Sequence, residues 1–335
     1  MTKSDIAREF RLKYGKSMPT RQLARIIYDK YPLAFKDYED ARWALRYIEG
    51  KVGKKNKKHV QDTEFCIDEE RAKNPFSLPE SDLIPYEPFL LRDGNLGIIS
   101  DVHCPFHSVQ ALTTMINYFL KNPIDTLLIN GDWFDFYGGS RFMKDPRKMD
   151  MAQEIEIGCQ MLNILADALK CKIVFKIGNH DARLEHYIWQ KLPEISQLAD
   201  LQEIKEIDLE KIVRKRCPNI DIEFVASMQI MDFCGLSIVH GHEFGQSVFS
   251  PVNIARGLFL RGGECVVGAH HHQTSEHTQP TMRGRMITTW SIGCLCGLSP
   301  EYLPVNKWNH GFMRVEGENN EFHVKNLRIL GDKVL

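Results

Sequence analysis

Five short clusters of carboxylate, imidazole and amide side chains are spread along residues 101–272. Their mixed oxygen and nitrogen donors suit first-row divalent metals such as Mn, Fe and Zn, whereas an all-oxygen set would suit Mg or Ca. Two such ions about 3.5–4 Å apart can bind a phosphoryl oxygen each and lower the pKa of a water between them. The residue types therefore indicate a site for two divalent metals that would activate a water molecule as a nucleophile. The clusters are Asp101-Val102-His103, Gly131-Asp132-Trp133-Phe134-Asp135, Gly178-Asn179-His180-Asp181, His240-Gly241-His242 and Gly268-Ala269-His270-His271-His272.

The first three clusters each follow an apolar run that is typical of a buried strand. These runs are Leu96–Ser100, Thr126–Asn130 and Ile173–Ile177, and helical patterns at Ser108–Lys121 and Met151–Lys170 separate them. The resulting βαβαβ order predicts parallel strands joined by right-handed crossovers. Because ligands bind outside the carboxyl ends of such strands, we expect the three clusters at one sheet edge.

Apolar runs lie closer together beyond residue 220, and two of them precede the fourth and fifth clusters. This spacing predicts a mixed or antiparallel sheet packed on the first. The runs are Ile222–Ala226, Met228–Met231, Leu236–His240, Cys265–Gly268, Met286–Ile292, Phe312–Glu316 and Phe322–Leu327.

Each cluster taken alone also fits a purely structural role. An Asp-x-His segment after a strand is commonly a turn or a capping pair, and a His-Gly-His segment can be a satisfied structural pair. Five clusters in a fixed order, each after a predicted strand, favour one shared site. Similarly, Cys294 and Cys296 offer soft-metal ligands but are more typical of buried apolar residues. Tyr302 and Trp308 offer stacking surfaces for a base, with core packing as the alternative.

The order of the clusters resembles the calcineurin-like metallophosphoesterase superfamily. That family's motifs are Asp-x-His, Gly-Asp-x-x-Asp, Gly-Asn-His-Asp/Glu, a His usually followed by Gly, and Gly-His-x-His, and all five have counterparts between Asp101 and His272. The resemblance implies an α/β (α+β) fold, a calcineurin-like αββα sandwich of two mixed sheets. It also implies a hydrolase of phosphoesters with two divalent metal ions, Mn first, with Fe, Zn or Ni as alternatives.

Residue roles follow from the same resemblance. His180 resembles the family's second-sphere histidine, which contacts the phosphate and protonates the leaving oxygen, and Asp135 would orient its imidazole. Asp181 would be a supporting group. The implied ligands of one metal are Asp101, His103 and His272. Those of the other metal are Asn179, His240 and His270. Asp132 would bridge the two metals.

The last motif departs from the family pattern and permits two registers. If Gly268 is the motif glycine, Ala269 has replaced a ligand and His271 is the second one. If Ala269 stands in for that glycine, His270 and His272 are the ligands. The second register is preferred because alternate residues of an extended segment point the same way and no ligand is lost. Three residues are then expected to contact substrate: His271, His242 and Arg183.

The first sixty residues are basic, with 16 Lys and Arg against 7 Asp and Glu, a net charge of +9, and the remainder carries −10. Ser4 and Thr20 can cap the first two of three short helical patterns, and the third pattern runs from about Asp37. Three helices with a basic tail resemble a helix-turn-helix DNA-binding module, which implies a nucleic-acid partner. A solvated basic surface is the alternative. The residues expected to contact nucleic acid are Arg21, Arg25, Lys51, Lys54, Lys55, Lys57 and Lys58.

These patterns divide the 335 residues into a basic module at 1–58, a proline-containing linker at 59–92 and a metallophosphoesterase domain at 93–335. The nine cysteines have no paired CxxC spacing, so neither a disulfide framework nor a zinc ribbon is predicted. A charged N-terminus and the lack of an apolar run of roughly 18 residues predict a cytoplasmic protein without a membrane span.

Together, these features predict a phosphodiesterase or nuclease acting on DNA or RNA, similar to the DNA-repair exonucleases of the superfamily. The alternative is a phosphoesterase for a small nucleotide or a phosphoprotein, with the helical module serving protein interaction. A non-catalytic nucleic-acid binder with a degenerate metal site is disfavoured, because every required ligand type is present.

Overall fold

The computed structural model describes residues 2–15, 18–53, 86–140, 145, 150–191, 208–245 and 253–335. The chain divides into two compact units, Met1–Tyr86 and Glu87–Leu335. Four of the predicted nucleic-acid contacts lie outside the described residues: Lys54, Lys55, Lys57 and Lys58.

The described residues of the first unit form three helices, α1 (Lys3–Tyr14), α2 (Thr20–Lys30) and α3 (Tyr38–Ile48). Two predicted caps are wrong. Thr2 rather than Ser4 caps α1, because its hydroxyl accepts a hydrogen bond from the Asp5 N–H and the Asp5 carboxylate accepts one from the Thr2 N–H. Thr20 is itself the first residue of α2 and follows Pro19, which has no side-chain cap.

The connection between α2 and α3, residues 31–37, is longer than the three or four residues of a helix-turn-helix turn. The third helix begins next to Asp37, as predicted, and the Asp37 carboxylate caps it by accepting a hydrogen bond from the Asp40 N–H at 2.8 Å. Apolar residues at helical spacing form the core of this unit, and the buried Arg11 and Glu49 form an ion pair within it. The helix-turn-helix resemblance stays a prediction.

A seven-stranded sheet forms the first layer of the second unit. Four of its strands, between residues 94 and 225, pair in parallel, and three strands from the C-terminal part of the chain extend the sheet in antiparallel fashion. In spatial order the strands are β13 (Lys333–Val334), β12 (Glu321–Leu330), β11 (Gly311–Glu318), β2 (Gly94–Ile99), β3 (Thr126–Asn130), β4 (Lys172–Lys176) and β5 (Ile222–Val225).

A six-stranded mixed sheet forms the second layer. Its edge strand Phe89–Leu90 lies in the segment that the sequence assigned to the linker, and it pairs in parallel with Met231–Phe233. In spatial order the strands are β1 (Phe89–Leu90), β6 (Met231–Phe233), β7 (Leu236–Ile238), β8 (Val266–Gly268), β10 (Met286–Ser291) and β9 (Ser275–Pro280).

Within the described ranges, five α-helices accompany these sheets: α4 (Val109–Lys121), α5 (Met151–Leu169), α6 (Arg183–Lys191), α7 (Leu209–Arg216) and α8 (Ile254–Gly262). Successive residues of β3 face opposite layers, as a strand requires. Leu127 packs with Phe119 of α4 and Leu162 of α5. Leu128 points the other way and shares a core with Ile238 of the second sheet.

The outer face of the second sheet is covered by α8, whose Leu258 packs with Val239 and Val266. Helices therefore lie outside both sheets, and the predicted αββα sandwich of two mixed sheets is confirmed. No helix among the described residues is long and apolar enough to cross a membrane.

Two predictions about the later strands are wrong. The strands β5, β11 and β12 belong to the first sheet. β5 pairs with β4, and in β11 Met313 pairs with Ile98 and shares its buried core. The predicted strand Met228–Met231 instead begins at Met231, since Met228 is exposed. The polar strand β9, with mostly exposed side chains, was not predicted because it has no apolar alternation.

Candidate metal centre

The five clusters meet at the carboxyl ends of β2, β3, β4, β7 and β8. Five of the predicted ligands there have the left-handed backbone conformation, with positive φ, which is uncommon for residues other than glycine. Such conformations are frequent at functional sites. The predicted ligands with positive φ angles, between 48° and 68°, are Asp101, His103, Asp132, His270 and His272.

Asp101, His103 and His272 form one group of donors. The Nε2 atoms of His103 and His272 lie 3.3 Å apart, and Nε2 of His272 lies 3.1 Å from Oδ1 of Asp101. Two nitrogen ligands about 2.0–2.1 Å from one ion are themselves roughly 3.0–3.4 Å apart. Oδ1 of Asp101 is buried without a hydrogen-bond donor among the described residues. This group therefore fits a divalent cation.

Asp132, His240 and His270 form a second group, with ligand atoms within 4.8 Å of one another. Nε2 of His240 lies 3.2 Å from both Oδ2 of Asp132 and Oδ1 of Asn179. Oδ2 of Asp132 also lies 3.9 Å from Nε2 of His103 in the first group. The Asp132 carboxylate thus faces both groups, as a bridging ligand requires.

The triple histidine divides between the two groups. His270 belongs to the group around Asp132, and His272 belongs to the group around Asp101. His271 belongs to neither group within the part of the chain that the structure describes; it is half-buried, with its ring 5.0 Å from that of His270. This geometry favours the register in which Ala269 replaces the motif glycine.

The buried carboxylates and imidazoles perturb each other strongly. Burial raises the pKa of Asp101, but His272 and His103 outweigh it and hold that pKa well below the usual range. Burial alone would lower the pKa of His240, but the negative charge of Asp132 outweighs burial and raises this pKa to about 9. Burial and the neighbouring His240 lower the pKa of His270 to about 3. The carboxylates thus stabilise positive charge at His240, whereas His270 is held neutral, the form in which an imidazole binds a metal.

Asp181 supports the loops that carry the ligands. Its carboxylate accepts hydrogen bonds from the backbone N–H groups of Asp132, Phe134 and Gly178 at 2.8–2.9 Å. Gly178 has to be a glycine because its backbone lies against the Asp132 side chain, where a Cβ atom would be only 2.2 Å from Oδ1 of Asp132. The loops after β3 and β4 are thus locked together at the site.

Asp135 contacts two histidines. Its Oδ1 lies 3.0 Å from Nδ1 of His180, as predicted from the family's dyad, and also 3.0 Å from Nδ1 of His103. Arg183 donates to Nε2 of His180 at 2.9 Å and to the Asp135 carbonyl at 2.9 Å. The predicted phosphate contact Arg183 therefore pairs with the predicted proton donor.

Two remaining predicted contacts have other neighbours. Nε2 of His242 lies 2.9 Å from the Ser227 hydroxyl, and burial lowers the pKa of His242 to about 4. In the first unit, Arg21 and Arg25 are exposed on α2, whereas Lys51 is half-buried and 4.0 Å from the Glu49 carboxylate.

The pair Lys176 and Glu243 was missed by the sequence analysis. The Glu243 carboxylate accepts hydrogen bonds from the backbone N–H groups of His240 and Gly241, at 3.0 and 2.6 Å. It also lies 2.9 Å from Nζ of Lys176. Lys176 is fully buried at the end of β4. A lysine closing a buried strand is the signal that the sequence offered, since a buried charge requires a partner.

This fold and donor set define a metallophosphoesterase. A sequence model described as "Calcineurin-like phosphoesterase" matches residues 94–277, more than half of the chain. The chain belongs to this family, whose members hydrolyse phosphoester bonds and use divalent metals. No curated protein sequence matches the chain.

The solved structures that match this chain have low sequence identity to it. Vacuolar Protein Sorting 29 from Cryptosporidium parvum is 12% identical, with 72% of this chain and 94% of that chain covered and a TM-score of 0.38. Yfce, a phosphoesterase from E. coli, is 15% identical, with 66% and 88% covered and a TM-score of 0.33.

Proposed function

We propose that this chain is a metal-dependent phosphodiesterase that cleaves DNA or RNA. One observation carries the proposal: Oδ2 of Asp132 faces a histidine of each donor group, 3.2 Å from His240 and 3.9 Å from His103. Such an arrangement would let one carboxylate serve two ions, which together would act on one phosphoryl group.

The donor set indicates which ions fit. Imidazole, carboxylate and amide donors suit Mn, with Fe, Zn or Ni as alternatives. When bound, the two ions supply Lewis-acid charge to the phosphoryl oxygens and a nucleophile from water at neutral pH. The proposed ligands are Asp101, His103 and His272 for one ion, Asn179, His240 and His270 for the other, and Asp132 for both.

His180 is the proposed proton donor to the leaving oxygen. The Asp135 carboxylate fixes Nδ1 of the His180 ring, so Nε2 is the atom left to exchange a proton. In the free protein, the Arg183 guanidinium donates to that Nε2. A bound phosphate offers Arg183 a stronger acceptor, because charge-assisted bonds to phosphate are stronger than those to a neutral ring. Arg183 would then release Nε2 towards the leaving oxygen.

Burial lowers the pKa of His180, and nearby His103 and Arg183 lower it further. An anionic phosphate at the site would act in the opposite direction and favour the protonated ring. Substrate binding would therefore charge His180 at the moment when a proton is needed.

The first unit supports a nucleic-acid substrate through its charge and surface. Arg21 and Arg25 are exposed, and their charges would attract the phosphate backbone. On α3, the rings of Trp43 and Tyr47 stack with centroids 5.5 Å apart, and Trp43 is 54% exposed. Proteins that bind single-stranded nucleic acid combine basic residues with aromatic rings on which bases stack, and the first unit exposes both kinds of residue.

Aromatic rings also lie next to the proposed metal centre. The Trp308 ring is half-buried with its centroid 4.0 Å from that of His272, and the Tyr302 ring lies 6.4 Å from Trp308. Tyr302 is 75% exposed. These rings would provide a surface for a base adjoining the scissile phosphate.

A Mn²⁺-supplemented assay on single-stranded DNA, duplex DNA, RNA, and a chromogenic diester and monoester tests the proposal. We expect a nucleic acid to be cleaved with a higher kcat/KM than either chromogenic ester. A His180→Ala preparation purified in parallel controls for contaminating nuclease. Hydrolysis of the small esters alone would overturn the nucleic-acid proposal and favour a small-molecule or phosphoprotein substrate.

A further inference from the structure

A second set of metal-ligand atoms lies on the far side of the His272 ring. Nδ1 of His272 and the Sγ atoms of Cys294 and Cys296 all lie within 4.8 Å of one another. The Nδ1 atom is 3.8 Å from Sγ of Cys296. All three residues are buried, with 5%, 0% and 3% of their surfaces exposed.

This set is separate from the donors already described, because His272 has two ring nitrogens. Its Nε2 atom faces Asp101 and His103, at 3.1 and 3.3 Å. Its Nδ1 atom faces the two sulfurs. One imidazole can therefore serve two different ions on its opposite sides.

We infer that the two thiolates and Nδ1 of His272 form a binding site for a thiophilic cation such as Zn²⁺ or Cu⁺. Soft sulfur donors select these ions over Mn²⁺. A tetrahedral ion with metal–sulfur and metal–nitrogen bonds of about 2.3 and 2.0–2.1 Å places the two kinds of donor about 3.6 Å apart. The observed 3.8 Å between nitrogen and sulfur is close to that value. Binding would release the two thiol protons to solvent. When Nε2 of His272 also holds an ion, the proton on Nδ1 would be released as well, and the ring would bridge the two ions as an imidazolate.

The backbone holds the two cysteines in place for this role. The Cys294 N–H donates to the Asn309 carbonyl at 3.0 Å, and the Leu295 N–H donates to the Asp101 carbonyl at 3.1 Å. The segment that carries the sulfurs is thus tied directly to a proposed ligand of the first ion. A preformed donor set binds metal without the cost of ordering a loop.

The chain offers a matched control in Cys159 and Cys217. These cysteines are also buried neighbours, with Sγ of Cys217 lying 3.5 Å from the Cys159 carbonyl. Neither belongs to a group of three candidate ligands within the described ranges. They contribute the same number of thiols but no histidine.

Cadmium provides a probe whose signal does not depend on activity. Cd²⁺ is added to the metal-free full-length protein, and the ultraviolet cadmium–thiolate charge-transfer band and the bound cadmium are measured. We expect the band in the wild type and in Cys159→Ser/Cys217→Ser. In Cys294→Ser/Cys296→Ser we expect loss of the band and of one bound ion per chain.

X-ray absorption of the cadmium-loaded wild type keeps the test decisive if a variant fails to fold. Two sulfur scatterers and a nitrogen scatterer around the ion are expected. Wild-type protein without the band, a band that persists in Cys294→Ser/Cys296→Ser, or a band lost only in Cys159→Ser/Cys217→Ser would overturn the inference. So would a cadmium shell without sulfur. None of these results depends on whether the protein cleaves nucleic acid.

Discussion

Nε2 of His103 lies 3.3 Å from Nε2 of His272, although the two residues are 169 positions apart in the chain. Two ring nitrogens at this distance need a proton or a cation between them. Oδ1 of Asp101, 3.1 Å from the second nitrogen, adds a negative charge to the same space. The family uses divalent metals, and these three atoms are the ligands that we propose for one of the two ions.

Replacing the proposed proton donor should separate chemistry from metal binding. In His180→Ala we expect kcat to fall by roughly 10²–10⁴-fold, the usual contribution of a general acid. Bound metal should be unchanged, because the proposed ligands remain. Steady-state kinetics and metal analysis measure the two effects, with His186→Ala, an exposed histidine on α6, as the control. Loss of metal from His180→Ala would show that His180 is itself a ligand.

Asp135→Asn should affect both functions, unlike His180→Ala. Oδ1 of Asp135 is shared by Nδ1 of His103 and Nδ1 of His180. Removing the Asp135 charge therefore affects His103, a proposed metal ligand, and His180, the proposed acid. Hydrogen-bond partners of metal-bound histidines typically contribute 10–100-fold to metal affinity. We therefore expect about that loss in metal affinity, measured by calorimetry, together with a lower kcat. Unchanged metal affinity would limit the role of Asp135 to His180.

Glu154 on α5 should make stability depend on pH. Burial, reinforced by the nearby Asp135, raises its pKa from 4.5 to about 7. The folded protein then binds the Glu154 proton more tightly than the unfolded chain, so ionisation destabilises the fold as pH rises from 4.5 to about 7. Above that range the penalty is constant, and below pH 4.5 it is absent.

Glu154→Gln removes this penalty. We expect the variant to gain roughly 1–3 kcal/mol over the wild type at pH 8, with the gain disappearing towards pH 4.5. Chemical denaturation across this range measures the difference. Asp167→Asn, an exposed position on the same helix, should show no such trend. A gain that is independent of pH would mean that packing, not ionisation, is responsible.

Charge reversal in the first unit tests the nucleic-acid surface. Arg21→Glu/Arg25→Glu should weaken DNA binding and reduce the slope of log affinity against log salt by about 2, because each phosphate contact contributes about 0.9. Arg283→Glu/Arg285→Glu carries the same charge change on an exposed turn of the second unit. Equal losses in both variants would indicate an effect of net charge alone.

The local parts of this structure were predictable from sequence, and the distant pairings less so. The bounds of β3, Thr126–Asn130, are those of its apolar run, because a fully buried strand needs an unbroken apolar segment. The sheet that β11 joins depends on pairing with β2, more than two hundred residues away in the chain, and no local pattern encodes that choice.

The site shows the same division. Motif order and strand ends indicated which side chains would be brought together, since parallel strands present their carboxyl ends at one edge. The second contact of Asp135, the support of His240 by Glu243, and the sulfurs behind His272 were not predicted. Each depends on the orientation of one side chain within a packed interior, which residue spacing does not specify.

The central claim is a pair of divalent ions on either side of Asp132. Anomalous diffraction from crystals soaked in Mn²⁺ tests it directly. We predict two peaks bridged by the Asp132 carboxylate, one near His103 and His272 and the other near Asn179 and His240, and neither peak in Asp132→Ala. An empty pocket in the wild type, or ions bound without Asp132, would contradict the claim.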